Sequence, residues 1–166
     1  MGYLMNKDRE SLQDVYKVML YVHQHTPATA RRVRTILTHA YPDLLTRHTC
    51  FSGYVSQRAL EEALKNGYRP GIFEREHYLR FQSSLTKWVS EGFLKDGFEA
   101  FEQKVVELSK VHITLRSENR KLISKSSSYE SLEISLIYWG NIPVDCRRVF
   151  HKVLKGKVVN IAEFSV

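Results

Sequence analysis

Residues 8–23 carry Leu12, Val15, Tyr16, Met19 and Val22 at three- and four-residue steps, which places them on one helical stripe. Asp8 and Glu10 stand where the positive end of that helix favours carboxylates. His25-Thr26-Pro27 then breaks the pattern and restarts it. Thr26 is the predicted cap, and Pro27 suits a first helical position because its missing N–H has no partner there in any case. A second helix over 27–40 buries Ala30, Val33, Leu37 and Ala40 and turns Arg31, Arg34, Thr35 and Thr38 outward, with Arg32 on the flank. It stops before Tyr41-Pro42, since the residue preceding a proline leaves the helical region. A connector over 43–51, with a helical turn through Leu44-Leu45, leads to Ser52-Gly53 and a third predicted helix on Val55, Ala59, Leu60, Ala63 and Leu64. Asn66-Gly67 closes it, glycine being able to turn left-handed. A fourth helix over 73–91 follows the stripe Tyr78, Phe81, Leu85, Trp88 and Val89 and ends at Gly92. Asp96-Gly97 is a turn, and Phe98, Phe101, Val105 and Leu108 mark a short fifth helix.

Beyond residue 110 the period changes. Val111, Ile113 and Leu115 alternate with His112, Thr114 and Arg116, which is strand spacing. Ser117-Glu118-Asn119 is read as the turn into a partner strand over 120–124, and 132–139 as the strongest strand of the chain. Pro143 opens a helix to 155, and 158–164 is read as a last strand. The expected fold is therefore α+β. A helical part over 1–96 precedes an α/β part over 97–166; the last fifty-five residues form a small antiparallel sheet with one helix, and the two parts meet at Asp96-Gly97.

Composition narrows the class without changing that outline. With 166 residues, 43% of them hydrophobic and 11% aromatic, the chain can bury a core as one domain or two small ones. Disorder, collagen and coiled coil are excluded by the same figures. No apolar run reaches the length of a membrane span. The first residues lack a basic segment followed by an apolar one, and Asn6 stands where a myristoylation pattern requires Ser or Thr, so a cytoplasmic location is expected. Cys50 and Cys146 lie far apart and form no CxxC pair, which excludes a thiolate zinc site and leaves two ordinary thiols. No cofactor is expected.

Charge does change the picture. The sequence holds 25 Lys+Arg against 18 Asp+Glu, a net charge of +7. Arg31, Arg32 and Arg34 gather within about one helical turn, with Thr29, Thr35 and Thr38 beside them as hydroxyl donors. Cations displace the counterions condensed on closely spaced phosphates, and the planar guanidinium fork holds phosphate or a guanine edge in two bonds. The same residues would also make an ordinary solvated helix face. The third predicted helix offers Tyr54, Gln57, Arg58 and Glu61, of which Gln57 and Arg58 can read base edges.

A second register competes for the role of recognition helix. The stretch Ser83-Ser84-Leu85-Thr86-Lys87-Trp88-Val89-Ser90-Glu91-Gly92-Phe93-Leu94-Lys95 resembles the end of a recognition helix running into a strand in winged helix-turn-helix proteins. The likeness spans residues 8–125 in element order. It implies a winged-helix-like plan in which Arg80, Gln82, Ser83, Ser84 and Lys87 face the groove. It also implies that the hairpin over 111–124, with Arg116, Arg120 and Lys121, is the wing. The family implies double-stranded DNA as partner, commonly a dimer, and control of transcription or replication. The helical part over 1–96 is then the DNA-binding part, and the α/β part over 97–166 carries the wing and the dimerisation region.

Other features weigh less. Arg147, Arg148, Lys152 and Lys155 lie on the helix after Pro143 and could be a second phosphate clamp. The strand over 132–138 offers an edge for a homodimer. His112-Ile113-Thr114 matches the His-x-Thr element of two-histidine phosphoesterases, but no second such element occurs at any other histidine. His23-Gln24-His25 lacks metal-ligand spacing, His48 and Cys50 have no visible orienting group, and Walker, GxGxxG and GxSxG patterns are absent. The aromatic residues between Phe51 and Phe101 are mainly core by their helical spacing. Interleaved with Arg58, Arg69, Arg75 and Arg80, they could instead stack the bases of a single strand. The leading expectation is a non-enzymatic DNA-binding protein. The alternatives are a basic face docked on an acidic protein partner, and a nucleic-acid-processing enzyme.

Overall fold

The computed structural model describes residues 6–40, 48–122 and 128–166, and at Asn6, Lys7, Ala40 and Phe81 the backbone alone. The helix stop at Tyr41-Pro42, the connector turn at Leu44-Leu45 and the end of the predicted 111–124 hairpin lie outside the described residues. The fold is α+β, and the chain divides into two compact units that interleave in sequence. The first comprises Met1–Thr49 and Leu79–Lys110, the second Cys50–Tyr78 and Val111–Val166. Asp96-Gly97 falls inside the first unit, as a turn between two helical segments.

The helices, in chain order, are α1 (Asn6–His25), α2 (Ala30–Thr35), α3 (Gln57–Asn66), α4 (Phe81–Ser90), α5 (Phe98–Leu108), α6 (Arg116–Leu122) and α7 (Val144–Leu154). The strands are β1 (Cys50–Ser56), β2 (Phe73–His77), β3 (Lys110–Leu115) and β4 (Leu136–Tyr138).

In the first unit, α1 buries Leu12, Val15 and Met19, the stripe its spacing predicts. Helix α2 runs on as a π-helical turn over Ile36–Ala40. Its cap is Thr29, whose hydroxyl accepts the Arg32 N–H at 3.4 Å, and not the expected Thr26. Thr26 instead donates its hydroxyl to Val22 O at 2.7 Å, closing α1, so the second helix starts later than residue 27. Helix α4 gives way at Gly92, whose φ of 85° is the left-handed turn glycine favours. A 3-10 turn (Phe93–Asp96) and α5 complete the unit. Val33 and Leu37, Leu85 and Val89, Leu94, Phe101, Val105 and Leu108 close its core around α1. Tyr16 ties the middle of α1 to the 3-10 turn by donating to Leu94 O at 2.9 Å.

The second unit is built on a four-stranded mixed sheet in the order β2-β3-β1-β4. Helix α3 follows β1, α6 follows β3, and α7 follows β4. Up to β4 the unit runs β-α-β-β-α-β, the order of the split βαβ motif. β1 pairs antiparallel with β4, Tyr54 opposite Tyr138, and β2 pairs antiparallel with β3, Phe73 opposite Leu115 and His77 opposite Val111.

Strand alternation gives this sheet two unlike faces. Phe51 and Val55 of β1, Val111 and Ile113 of β3 and Phe73 of β2 form the apolar one. It is covered by Ala59, Leu60 and Ala63 of α3 and by Cys146, Phe150 and Leu154 of α7. Ser52, Tyr54 and Ser56 of β1 and His112 and Thr114 of β3 alternate onto the other, polar face.

Several expected elements change. The third helix does not begin at Ser52-Gly53: 50–56 is strand β1, and the helix starts after Ser56, whose hydroxyl accepts the Ala59 N–H at 3.2 Å. The span 73–91 is not one helix. Its first five residues pair with β3, and only Phe81–Ser90 is helical. The first hundred residues are thus not all helical, since two of the four strands among the described residues lie there. Strand β3 is followed by helix α6 and not by a hairpin turn, so Arg116, Arg120 and Lys121 sit on a helix and not on a wing. Glu118 stops the strand by accepting the Leu115 N–H at 2.9 Å and the Ser56 hydroxyl at 2.6 Å. The strand over 132–139 shortens to Leu136–Tyr138. The strand over 158–164 does not form: a 3-10 turn spans Ile161–Glu163, and the Asn160 side chain takes the ladder's place. Its amide accepts from Phe51 N at 2.8 Å and donates to Phe51 O at 2.9 Å.

Candidate nucleic-acid interface

Helix α7 starts after Pro143 and ends at Leu154. Gly156 then turns the chain with φ 68°, and Lys157 N–H donates to Leu154 O at 2.9 Å. This turn carries Lys155 and Lys157 alongside strand β2, where Arg75 donates through Nη1 to Lys157 O at 3.2 Å. The turn after α3 supplies Tyr68 and Arg69, with Arg69 donating to Asn66 Oδ1 at 3.3 Å. Lys152 of α7 stands 5.8 Å above the Tyr68 ring. Together these elements enclose a cleft of about 220 Å³. Arg69, Arg75, Lys152, Lys155 and Lys157 line it, with Tyr68 as its exposed aromatic and Glu74 as its one carboxylate among the described residues. Glu74 is itself drawn toward Arg116, whose Nε lies 3.5 Å from it. Five like charges around one concave wall raise the local potential and favour an anion there.

A second cleft of about 300 Å³ adjoins the first at Gly71, which lines both. It is lined by Ile72 and Leu115, by Arg116, Ser117 and Arg120 of α6, and by Glu62 of α3.

The residues expected from the sequence are shared between the two units. Arg31, Arg32, Arg34, Thr35, Arg80, Gln82, Ser83 and Lys87 lie in the first, and Gln57, Arg58, Arg116, Arg120 and Lys121 in the second. Arg31 and Arg32 are exposed on α2, Arg58 on α3 and Gln82 on α4. Arg34 is not turned outward as expected. It is only 5% exposed, and among the described residues neither its Nε nor its Nη1 meets an acceptor. Burial, and then the charge of Arg31, lowers its pKa. Thr35 turns its hydroxyl back to Arg32 O at 2.5 Å. Gln57 is engaged with Glu61 at 2.9 Å, Ser83 with Arg80 O at 3.2 Å, and Lys87 lies 3.8 Å from Glu91. Arg116 and Arg120 line the second cleft. Tyr68, Arg69, Arg75, Lys152, Lys155 and Lys157 stand outside the interface expected from the second helix and the wing. Their sequence signal is the basic helix after Pro143 and the arginines set among aromatics, because their convergence is tertiary.

The polar sheet face holds the other concentration of functional groups. Ser52 Oγ and His112 Nδ1 lie 2.5 Å apart, and the rings of Tyr54, Tyr78 and Tyr129 surround the imidazole. His112 is 3% exposed, and desolvation lowers its pKa to about 4, so it is neutral at physiological pH. Burial, then Glu76 and Glu118, pushes the Tyr129 phenol upward. Among the described residues His112 Nε2 has no partner, so the orienting carboxylate of a nucleophile–base–acid triad is not in place. Cys50 and Cys146 are buried and form no disulfide among the described residues. Among the described residues, no group of three or more His, Cys, Asp or Glu is placed to hold a metal ion, and no helix is long and apolar enough to cross a membrane. No known protein family, curated protein or solved structure matches the chain.

Proposed function

We propose that this chain is a non-enzymatic nucleic-acid-binding protein, with DNA as its partner, and that the basic cleft of the second unit grips the phosphodiester backbone. The observation that carries the reading is the gathering of five cationic side chains around one cleft whose carboxylate leans on a further arginine. A polymer with a negative charge at every nucleotide matches such a wall, and binding releases its condensed counterions. Arg31 and Arg32, exposed on α2 in the first unit, add a second cationic surface to the same reading. A regulator of transcription or replication needs binding of this kind and no bond-breaking machinery.

The test is fluorescence anisotropy of the full chain against labelled DNA, single-stranded and duplex, at about 50 mM salt, where phosphate contacts are strong. Micromolar or tighter binding is expected, and K152E/K155E is expected to abolish it while far-UV circular dichroism stays unchanged. No binding by the wild-type chain, or undiminished binding by the variant, rejects the proposal. Capture of an acidic protein without DNA affinity would favour the docking alternative.

A further inference from the structure

Building on the nucleic-acid reading, we propose that the second cleft is a pocket for one unstacked nucleobase, so that the polymer held is single-stranded. The cleft meets the basic one at Gly71, a residue with no side chain to part them. A Cβ built at Gly71 would lie 3.8 Å from Arg116 Nη1, and its φ of 78° is one that glycine adopts without strain. A strand leaving the cationic wall can therefore lie close to the backbone at this point and turn a base into the neighbouring cleft.

The lining suits a flat heterocycle. Ile72 and Leu115, both half-buried, give the cleft an apolar lining. Arg116 and Arg120 stand four residues apart on α6 and so on the same side of it. Guanidinium planes stack on bases and hydrogen-bond their edges. Glu74, 3.5 Å from Arg116 Nε, restrains that plane. Glu62 adds a carboxylate, already accepting from Asn66 Nδ2 at 2.9 Å, that can take a cytosine amino group. The volume of about 300 Å³ is at the small end for organic ligands. A paired base cannot enter without leaving its stack, which costs unpairing energy that a single strand does not carry.

The experiment compares three probes on the full chain at equal salt: a short oligodeoxycytidylate, the same strand with its bases replaced by abasic sites, and the matching duplex. The oligodeoxycytidylate is expected to bind roughly tenfold tighter than the abasic strand, the size of one stacked base. R120A is expected to bring that ratio close to one, whereas K155E weakens both strands and preserves the ratio. Arg120 and Lys155 are exposed side chains, so both variants are expected to keep the wild-type circular dichroism. Equal affinity for base-bearing and abasic strands, or tighter binding of the duplex, overturns the base pocket while leaving the backbone grip standing. Absence of binding by every probe overturns both.

Discussion

Replacing Lys152 and Lys155 by alanine should change the salt dependence of DNA binding by a calculable amount. Five cations stand on the wall of the basic cleft. If each meets one phosphate of a single strand, log K should fall against log salt with a slope of about −3.5, from roughly −0.7 per contact. Raising salt about fourfold then weakens binding about a hundredfold. K152A/K155A leaves about three contacts, a slope of about −2, and a loss of only about twentyfold over the same range. The difference in slopes is the informative quantity, because a variant that was merely less well folded would lose affinity without changing the number of ions released. The measurement is anisotropy of a labelled strand over a series of salt concentrations, with circular dichroism as the folding control. Identical slopes in wild type and variant would refute the reasoning, since they would place the contacts elsewhere. A wild-type slope near zero would refute it more directly.

The second unit offers three tests of stability. N160A removes the amide that pairs with both backbone groups of Phe51, and leaving that buried N–H and C=O unmet should cost about 2–5 kcal/mol in urea unfolding; a cost below about 0.5 kcal/mol would show the pairing to be dispensable. His112 titrates near 4 when folded and near 6.5 when unfolded, so the unfolded chain takes up the proton first as pH falls. Its share of stability, about 3 kcal/mol at most, is complete above pH 6.5 and is lost on descending toward pH 4; H112Q should flatten that acid limb, and an unchanged limb would contradict the assignment. Gly53 holds a φ of 86° inside β1, and a Cβ there would come within 3.2 Å of the Phe164 ring; G53A should therefore destabilise by about 1–3 kcal/mol, read as a lower thermal midpoint, and an unshifted midpoint would mean the strand relaxes around the methyl.

Helices whose stripe meets a single core are legible in the sequence. Residues 8–23, Phe98 to Leu108 and the run after Pro143 each present one apolar side to one neighbour, and periodicity is sufficient for that. β1 escapes because both of its faces are largely enclosed. Phe51 and Val55 go under the helices, Ser56 under Glu118, and the helical spacing that starts at Val55 belongs to α3. β2 escapes because Phe-Glu-Arg-Glu-His has one apolar residue and is recognised as a strand only by its partner. The alternation of β3 is legible, but what ends it is not, since Glu118 is held there by a hydroxyl from β1. The apolar run around Val158 reads as a strand until Asn160 is seen to imitate one with its side chain. The cleft is the least legible feature. Arg69 and Arg75 stand far along the chain from Lys152, Lys155 and Lys157, and only the packing of α7 against the sheet makes them neighbours.

The rung joining His77 to Val111 has a use in protein engineering. Partners in an antiparallel ladder sit about 5 Å apart, so a two-residue Asn-Gly turn can bridge them. Deleting 78–110 and splicing His77 through such a turn to Val111 would give a continuous miniprotein starting at Cys50. That product would keep the paired strands and both clefts while discarding the helical insertion. No single cut of the natural chain achieves this, because each unit is entered twice.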